Sequence, residues 1–437
     1  MNNIHLINIC SVWVILTDYF KSEVNNMKVG RTERHIINKN HKLFNIIDSY
    51  SFKSKNLYNF ANYAIRQEFI NNGKYKNYNT LAKELKTHES YKEIGSGSGQ
   101  QTLKLLDQNW KSFFASIKDW NKNPHKYRGR PKLPNYLDKE DGRYVFVLTN
   151  RQSKIRDGYL YFGFKPLKQF NGLIKTNVVD KHMQTRFIPK SDHYVLEIVY
   201  QREIEEIQSK NEKIIGIDLG VSRFAAIQNN IGMKPIAING GDVKAFNNYY
   251  NKQMAKYKSI AETVNGQKWT NRLQKLTNKR NNKIENFLHT SSKYIVDYCI
   301  ENNIDTVVIG HNDGWKQNIN IGKKNNQTFV GIPFSRFIQK LEYKCQDNGI
   351  ECISVEESYT SKASFIDSDN IPIYKKGSDK KYKFSGNRRK RGLYVSKDKI
   401  LINADVNGAS NIMLKKFPDA FKDKSSIGCH PDIINVI

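Results

Sequence analysis

The sequence predicts a mixed α/β protein in three blocks, and three observations predict it. Apolar residues recur at helical spacing within residues 42–134, short alternating runs separated by turn pairs occupy 135–210, and strand-like and helix-like segments alternate from Glu212 onward. At 437 residues the chain is long enough for two to four domains with a substantial core. A hydrophobic content of 38% with 12% aromatics excludes a wholly disordered chain.

Residues 4–16, IHLINICSVWVIL, are apolar but too short to span a membrane, and lack the basic start and cleavage site of a signal peptide. Because Met27 follows and the charged pattern starts there, residues 1–27 read as an over-long start or a dispensable extension. KVGRTERHIIN, from Lys28 to Asn38, reads as a basic strand. Residues 42–72 turn helical, with Leu57, Ala61, Ala64, Ile65 and Phe69 on one face. A second helix over about 102–121 gathers Leu103, Leu106, Trp110, Phe113, Phe114 and Ile117 on one side. Lys104, Lys111 and Lys118 fall on the other, which fits either a solvated face or a phosphate backbone.

PHKYRGRPKLPNY, residues 124–136, has three prolines and no period, so it is a loop and a domain boundary. It sets Lys126, Arg128, Arg130 and Lys132 among Tyr127 and Tyr136, and cations beside aromatic planes suit a nucleic-acid backbone with an exposed base. A solvated linker is the rival reading. RYVFVLTN and YLYFGF then flank Asp157-Gly158, a pair suited to a tight hairpin, and TRFIP and YVLEIVYQ flank Lys190–His193. Residues 28–41 and 135–210 therefore form a β domain, a small barrel, with 42–134 as an inserted helical domain.

After Glu212, KIIGIDLGVSRFAAIQNN reads as a hairpin, PIAING as a third strand and 243–303 as a long polar-faced helical region. TVVIGHN is a fourth strand, PFSRFIQKLEYKCQDNG a helix, ECISVEES a fifth strand and ADVNGASNIMLKKF the closing helix. Three antiparallel strands followed by strand–helix–strand–helix is the element order of the RNase H-like nuclease fold. This domain covers 211–420, with an insert at 358–404 and a tail over 421–437.

The charge points the same way. Lys and Arg number 71 against 42 Asp and Glu, a formal +29, and such a surplus indicates a polyanionic partner, with nucleic acid ahead of a membrane surface. The cysteines (Cys10, Cys299, Cys345, Cys352 and Cys429) form no CxxC pair, which leaves neither a zinc ribbon nor a disulfide framework readable and suits a reducing cytoplasm.

RNase H-like nucleases cleave phosphodiesters with two divalent ions, which want carboxylate oxygens from separate elements. Asp218 in IIGIDLG follows three apolar or small residues in the first strand, a costly place for an unpaired charge, and a metal is the obvious counter-ion. Asp405 opens the last helix in INADVNGASNI, where it reads equally as an N-cap and as a second ligand. Gly408, one turn on, lets that helix approach closely.

At these residues the chain resembles the TnpB (OrfB) proteins of single-strand-transposing insertion sequences, relatives of the compact type V CRISPR effectors. GIDLGVSRFAA, GHNDGWKQ, ESYTSKASF, FSGNRRKRGLY and NADVNGASNI carry the likeness, which runs over about 28–416. The resemblance implies a RuvC-type nuclease domain, a wedge-like β domain and a helical recognition domain. It further implies a guide RNA from the transposon end and cleavage of double-stranded DNA beside a transposon-adjacent motif. The cofactor would be two Mg²⁺ or Mn²⁺ ions, and the location the cytoplasm of a prokaryote, at the nucleoid. Oligomeric state is unreadable.

Two departures stand out. Residues 358–404 hold no cysteine where relatives carry a four-cysteine zinc ribbon, so no zinc is expected and the DNA contact falls to groups such as Arg388, Arg389, Lys390 and Arg391. Relatives also carry a Glu at the end of the fourth strand, where this chain has His311 or Asn312. Glu356 and Glu357 end the neighbouring fifth strand, about 4.7–4.9 Å away. Successive side chains alternate, so at most one points inward, and Glu357, nearer the strand's end, is the choice. His311 is a secondary candidate, as ligand, base or filler. Trp315, Lys316 and Gln317 follow on the same edge. Two other readings stay open, a nuclease-dead RNA-guided DNA-binding repressor and a DNA-binding accessory of transposition. If phosphate contacts dominate binding, affinity for nucleic acid falls by orders of magnitude between about 50 and 200 mM salt in a filter-binding titration. A flat salt response overturns the polyanion reading.

Overall fold

A computed structural model describes residues 26–312, 327, 329–374, 381–390, 392–421 and 427–437. Trp315, Lys316, Gln317, Arg391 and nearly all of the 1–27 extension lie outside the described residues. The chain divides into two compact units, Met27–Glu203 and Ile204–Ile437. No helix among the described residues is long and apolar enough to cross a membrane.

In the first unit, β1 (Asn26–Asn38) leads into helices α1 (Phe44–Asn72), α2 (Tyr78–Leu85), α3 (Glu89–Glu93) and α4 (Ser96–Lys122). The stripes read from sequence are the faces that pack: Leu57, Ala61 and Ile65 on α1 meet Leu103, Leu106 and Trp110 on α4, with Phe113 and Phe114 partly buried against them. The Trp110 indole also donates to Asn62 Oδ1 at 3.0 Å, so its one polar group is satisfied inside the core. The short helices α2 and α3 were not foreseen, because one or two turns show too little periodicity.

The β part is two sheets around one apolar core. β2 (Phe146–Thr149), β6 (Lys181–Pro189) and β7 (His193–Glu205) join β1 in the order β1-β7-β6-β2, while β3 (Ser153–Arg156), β4 (Tyr159–Phe162) and β5 (Ile174–Lys175) form the second sheet. Phe146 and Leu148 from one sheet share that core with Leu160 and Phe162 from the other. The hairpin at Asp157-Gly158 joins β3 to β4, not RYVFVLTN to YLYFGF as expected. Both turn residues have positive φ, 49° and 73°, as the tight turn requires, and the intervening SKIR was too short and polar to stand out as a strand.

The second unit is built on a six-stranded sheet in the order β12-β11-β8-β9-β10-β16. Its strands are β8 (Ile214–Leu219), β9 (Arg223–Asn229), β10 (Ile236–Asn239), β11 (Thr306–Gly310), β12 (Glu351–Val355) and β16 (Asp432–Ile434). β8, β9 and β10 pair antiparallel, and β11 and β12 add in parallel beside β8. The order read from sequence, three antiparallel strands followed by two parallel ones, is the order of this sheet. β16, parallel to β10, was read as tail because three residues carry no visible alternation.

Alternation along β8 sorts its two faces. Ile215, Ile217 and Leu219 join the core with Phe287 of α6 (Asn271–Glu301) and Phe337 and Leu341 of α7 (Phe334–Asp347). Ile214 faces the other way, packed with Ile412 and Met413 of α8 (Ala404–Lys416), and by the same period Asp218 belongs to the α8 face. The long helical region is two helices, α5 (Gly241–Asn265) and α6. Within the cysteine-free insert, β13 (Asn387–Lys390), β14 (Leu393–Val395) and β15 (Leu401–Asn403) make a small sheet. The start of the insert is tied to α8, where Asn407 donates to the Ala363 carbonyl and Asn411 to the Thr360 carbonyl, each at 2.8 Å.

Trp110 has no exposed surface in the helical core. Its replacement by Ala therefore lowers stability by about 3–5 kcal/mol in urea unfolding, and a loss under 1 kcal/mol is the contrary result.

Candidate functional site

The site begins where β8 meets α8. Asp218 is the last residue but one of β8, opposite Ala226. A side chain at position 408 would put its Cβ 2.5 Å from Asp218 Oδ2, so α8 lies against this carboxylate and only glycine leaves room.

Asp405 sits in the first turn of α8 but does not cap it. Asn403, in extended backbone, accepts from the amides of Asp405 and Val406 at 3.0 and 3.2 Å. The capping reading of Asp405 is thus corrected: the cap residue precedes the first turn, and Asp405 lies inside it. Its carboxylate is free for other partners and takes Arg223 Nη1 at 3.0 Å and Arg388 Nη2 at 3.8 Å.

Glu357 was chosen from sequence over Glu356, with His311 as a secondary candidate. Ile309 of β11 pairs with Ile217 of β8, which brings Gly310 level with Asp218. Gly310 pairs on its other side with Val355 of β12, and Glu357 follows two residues later. Its side chain leans back across the strand edge. Glu357 Oε2 lies 3.0 Å from where a Cβ on Gly310 would be, so the carboxylate sits over the end of β11 although its backbone has left β12. Asn312 holds it there, donating from Nδ2 to Glu357 Oε1 at 3.3 Å and accepting from the Glu357 amide at 3.1 Å.

Glu356 goes elsewhere. Its Oε1 accepts from the Ser358 amide at 2.8 Å, and its other oxygen takes the Lys415 ammonium of α8. His311 extends the ladder by one residue, its amide donating to Val355 O at 2.9 Å, and its side chain is partly buried.

Electrostatics follows from crowding. Burial, then the charges of Glu357 and Asp405, hold the Asp218 carboxyl well above the usual range, and Arg388 only partly opposes them. Asp218 keeps a partly accessible edge, but its carboxylate is walled in by α8. Burial, and then the charge of Glu356, pushes Glu357 from 4.5 up to about 7. Burial also raises Glu356, but hydrogen bonds from Lys415 and Ser358 outweigh it and leave that group below its ordinary value.

A buried carboxylate whose proton affinity is raised by two neighbouring acids has the donor chemistry a hard divalent cation takes. As placed, the acids interact through their charges, and no three His, Cys, Asp or Glu side chains among the described residues converge on one ion.

The basic residues singled out from sequence are largely exposed. On α4, Lys111 pairs with Asp107 at 2.7 Å, Lys104 sits over the Tyr78 ring at 5.3 Å, and Lys118 is exposed. In the loop, Asp119 takes the Tyr127 hydroxyl at 2.8 Å and Lys126 at 3.7 Å, while Arg130 stands 6.0 Å from the Trp120 ring. Arg128 and Lys132 are exposed, as are Arg389 and Lys390 on β13. Arg388, read as a DNA contact, reaches Asp405. Arg223, Asn312, Asn403 and Lys415 were not singled out for these roles. Of these only Arg223 had a signal, its place five residues after Asp218 on a hairpin that returns it to the same sheet end.

A family profile described as "Probable transposase" (OrfB_IS605) matches residues 197–316, and one described as "Cas12f1-like, TNB domain" matches residues 334–412. These stretches contain Asp218, Glu357 and Asp405. No curated protein matches the chain. Among solved structures, the chain is similar to a Cas12f1-sgRNA-target DNA complex at 17% identity and TM-score 0.34, covering 89% of this chain and 100% of that one. It is similar to a CRISPR-Cas12f ternary complex at 14% identity and TM-score 0.33, covering 84% and 80%. A third, CasPhi-2 (Cas12j) bound to crRNA and phosphorothioate-DNA, stands at 9% identity and TM-score 0.37, covering 93% and 94%.

The raised carboxyl of Glu357 sets a pH dependence. Between about 4.5 and 7 the unfolded chain has lost this proton while the folded chain keeps it, so the stability it lends is complete below 4.5 and lost by about 7. At about 1.4 kcal/mol per pH unit the loss is on the order of 3 kcal/mol, and Asp218 shifts in the same direction. Without divalent ions, the urea midpoint therefore falls from pH 5 to pH 8, and Glu357→Gln flattens the fall. An equal slope in both proteins contradicts the placement of this carboxylate.

Proposed function

The chain belongs to the TnpB (OrfB) family, and from that premise we propose that it is an RNA-guided DNA endonuclease encoded by a transposable element. Asp218, Glu357 and Asp405 would hold two divalent ions, Mg²⁺ or Mn²⁺. The observation that carries the reading is the Glu357 carboxylate lying over Gly310, level with Asp218, where a strand-end acid would otherwise stand. When bound, the ions supply positive charge to the phosphate in the transition state and make water a usable nucleophile.

The remaining work belongs to the chain. Gly408 and Gly310 leave the space that Asp218 and Glu357 occupy. Arg223 and Arg388 balance the charge of Asp405 and would be free to pair with a phosphate where an ion holds that carboxylate. Glu356, engaged by Lys415, fixes the loop that presents Glu357 and has no place among the ligands. His311 serves through its backbone, as part of the wall beside the site.

In this reading, residues 28–41 and 135–210 are the wedge, its two sheets acting as the barrel, and 42–134 the recognition domain. Lys104, Lys111, Lys118 and the 126–132 loop would face guide RNA or heteroduplex, and the cut would fall beside a transposon-adjacent motif.

Co-expression with the flanking element, sequencing of the co-purified RNA and plasmid cleavage in Mg²⁺ test the proposal. Asp218→Ala, Glu357→Ala and Asp405→Ala each slow cleavage at least ~100-fold while RNA still co-purifies. Glu356→Gln stays within a few-fold of the wild type. RNA and DNA binding without cleavage by the wild type favours the repressor reading, and full cleavage by Glu357→Ala removes that residue from the site.

A further inference from the structure

The reciprocal contact between Asn312 and Glu357 is the least ordinary feature of the site. One amide side chain engages both the backbone and the carboxylate of a single residue on the adjacent connection, its Oδ1 taking the Glu357 amide at 3.1 Å and its Nδ2 reaching Oε1 at 3.3 Å. The backbone beneath is fixed as well, since the neighbouring His311 amide is bound to Val355 O at 2.9 Å. The amide group therefore rests on a rigid strand end.

Glu357 needs such a hold. It lies beyond the last paired residue of β12, where no ladder hydrogen bond sets its direction. A glutamate side chain has several rotatable bonds, and ordering it costs conformational entropy. Burial and the charge of Glu356 both work against an ionised carboxylate at this place. A donor on Oε1 favours the charged form, and engaging that oxygen leaves Oε2 over Gly310, on the side of β8 and Asp218.

We propose that Asn312 is a positioning residue: it stands at the strand end and holds the carboxylate of Glu357 above Gly310, ready for a divalent cation. The proposal rests on the reading of Glu357 as the middle acid. Asparagine suits the task because its planar amide offers one acceptor and one donor side by side, matching an amide N–H and a carboxylate oxygen together. An alanine offers neither, and an aspartate would set a second negative charge against Glu357. Groups that orient a metal ligand without touching the metal typically change affinity by about 10–100-fold when removed.

The test is Mn²⁺ titration of the full chain by electron paramagnetic resonance, with Asp218→Ala as background and thermal midpoints recorded without metal. Asn312→Ala is expected to weaken the Mn²⁺ site by about 10–100-fold. The exchanged double variant, Asn312→Glu with Glu357→Asn, puts the acid on the segment that follows β11 and the amide on the segment that follows β12. It is expected to bind within ~10-fold of the wild type, where Glu357→Asn alone does not. Wild-type affinity in Asn312→Ala, with Glu357→Ala weakened, overturns the positioning role and leaves Glu357 as the middle acid. Wild-type affinity in Glu357→Ala removes that acid and this inference together. Should Asn312→Ala fail to fold, the exchanged variant decides alone: recovery supports the proposal, and affinity no better than Glu357→Asn overturns it.

Discussion

Like charges held together in a confined place cannot all ionise at once, and the end of the six-stranded sheet is arranged around that constraint. Asp218 bears most of the conflict, because burial and two neighbouring acids act on it while only Arg388 opposes them. Elsewhere in the chain such a group would be replaced or neutralised. Here the surroundings keep it close to the other acids: α8 is stripped to glycine at 408, β11 ends in a glycine, and arginines stand by Asp405 from two directions. Each concession makes sense for a group that waits for positive charge from outside.

On the proposed reading, the glutamate placed one strand over means that a sheet site depends little on which strand supplies an acid. Position over the sheet end is what the chemistry needs. β11 provides the ground and the connection after β12 the side chain, and a long flexible carboxylate closes the gap of one strand spacing. The neighbouring glutamate is prevented from competing by its ammonium partner, so two adjacent acids of the same type end in opposite roles.

Much of the fold was legible in the chain, for reasons that differ between elements. β8, β9, β11 and α8 carry strong apolar patterns, and their buried faces are the ones those patterns name. Asp218 was legible because a charge in an apolar strand demands a reason. The strand pairing at Asp157-Gly158 was misjudged because a turn signal does not say which of two upstream runs reaches it. The Asn403 cap was misread because three polar residues cluster at the start of α8 and only backbone direction separates them. The pairing of Arg223 with Asp405, across 182 residues, was signalled only by the hairpin that returns Arg223 to the same sheet end, and no local pattern records that of Arg388. The Asn312 latch was hidden for the same reason, being a matter of reach and not of period.

The ties between α8 and the insert have a consequence for how such a chain can change. The insert leaves from a segment gripped by Lys415, Asn411 and Asn407, and returns at the residue that caps the same helix. Its departure and arrival points thus share one support, and between them the insert sends Arg388 back to Asp405. A different module could be held between those two points with α8 and the sheet end left standing.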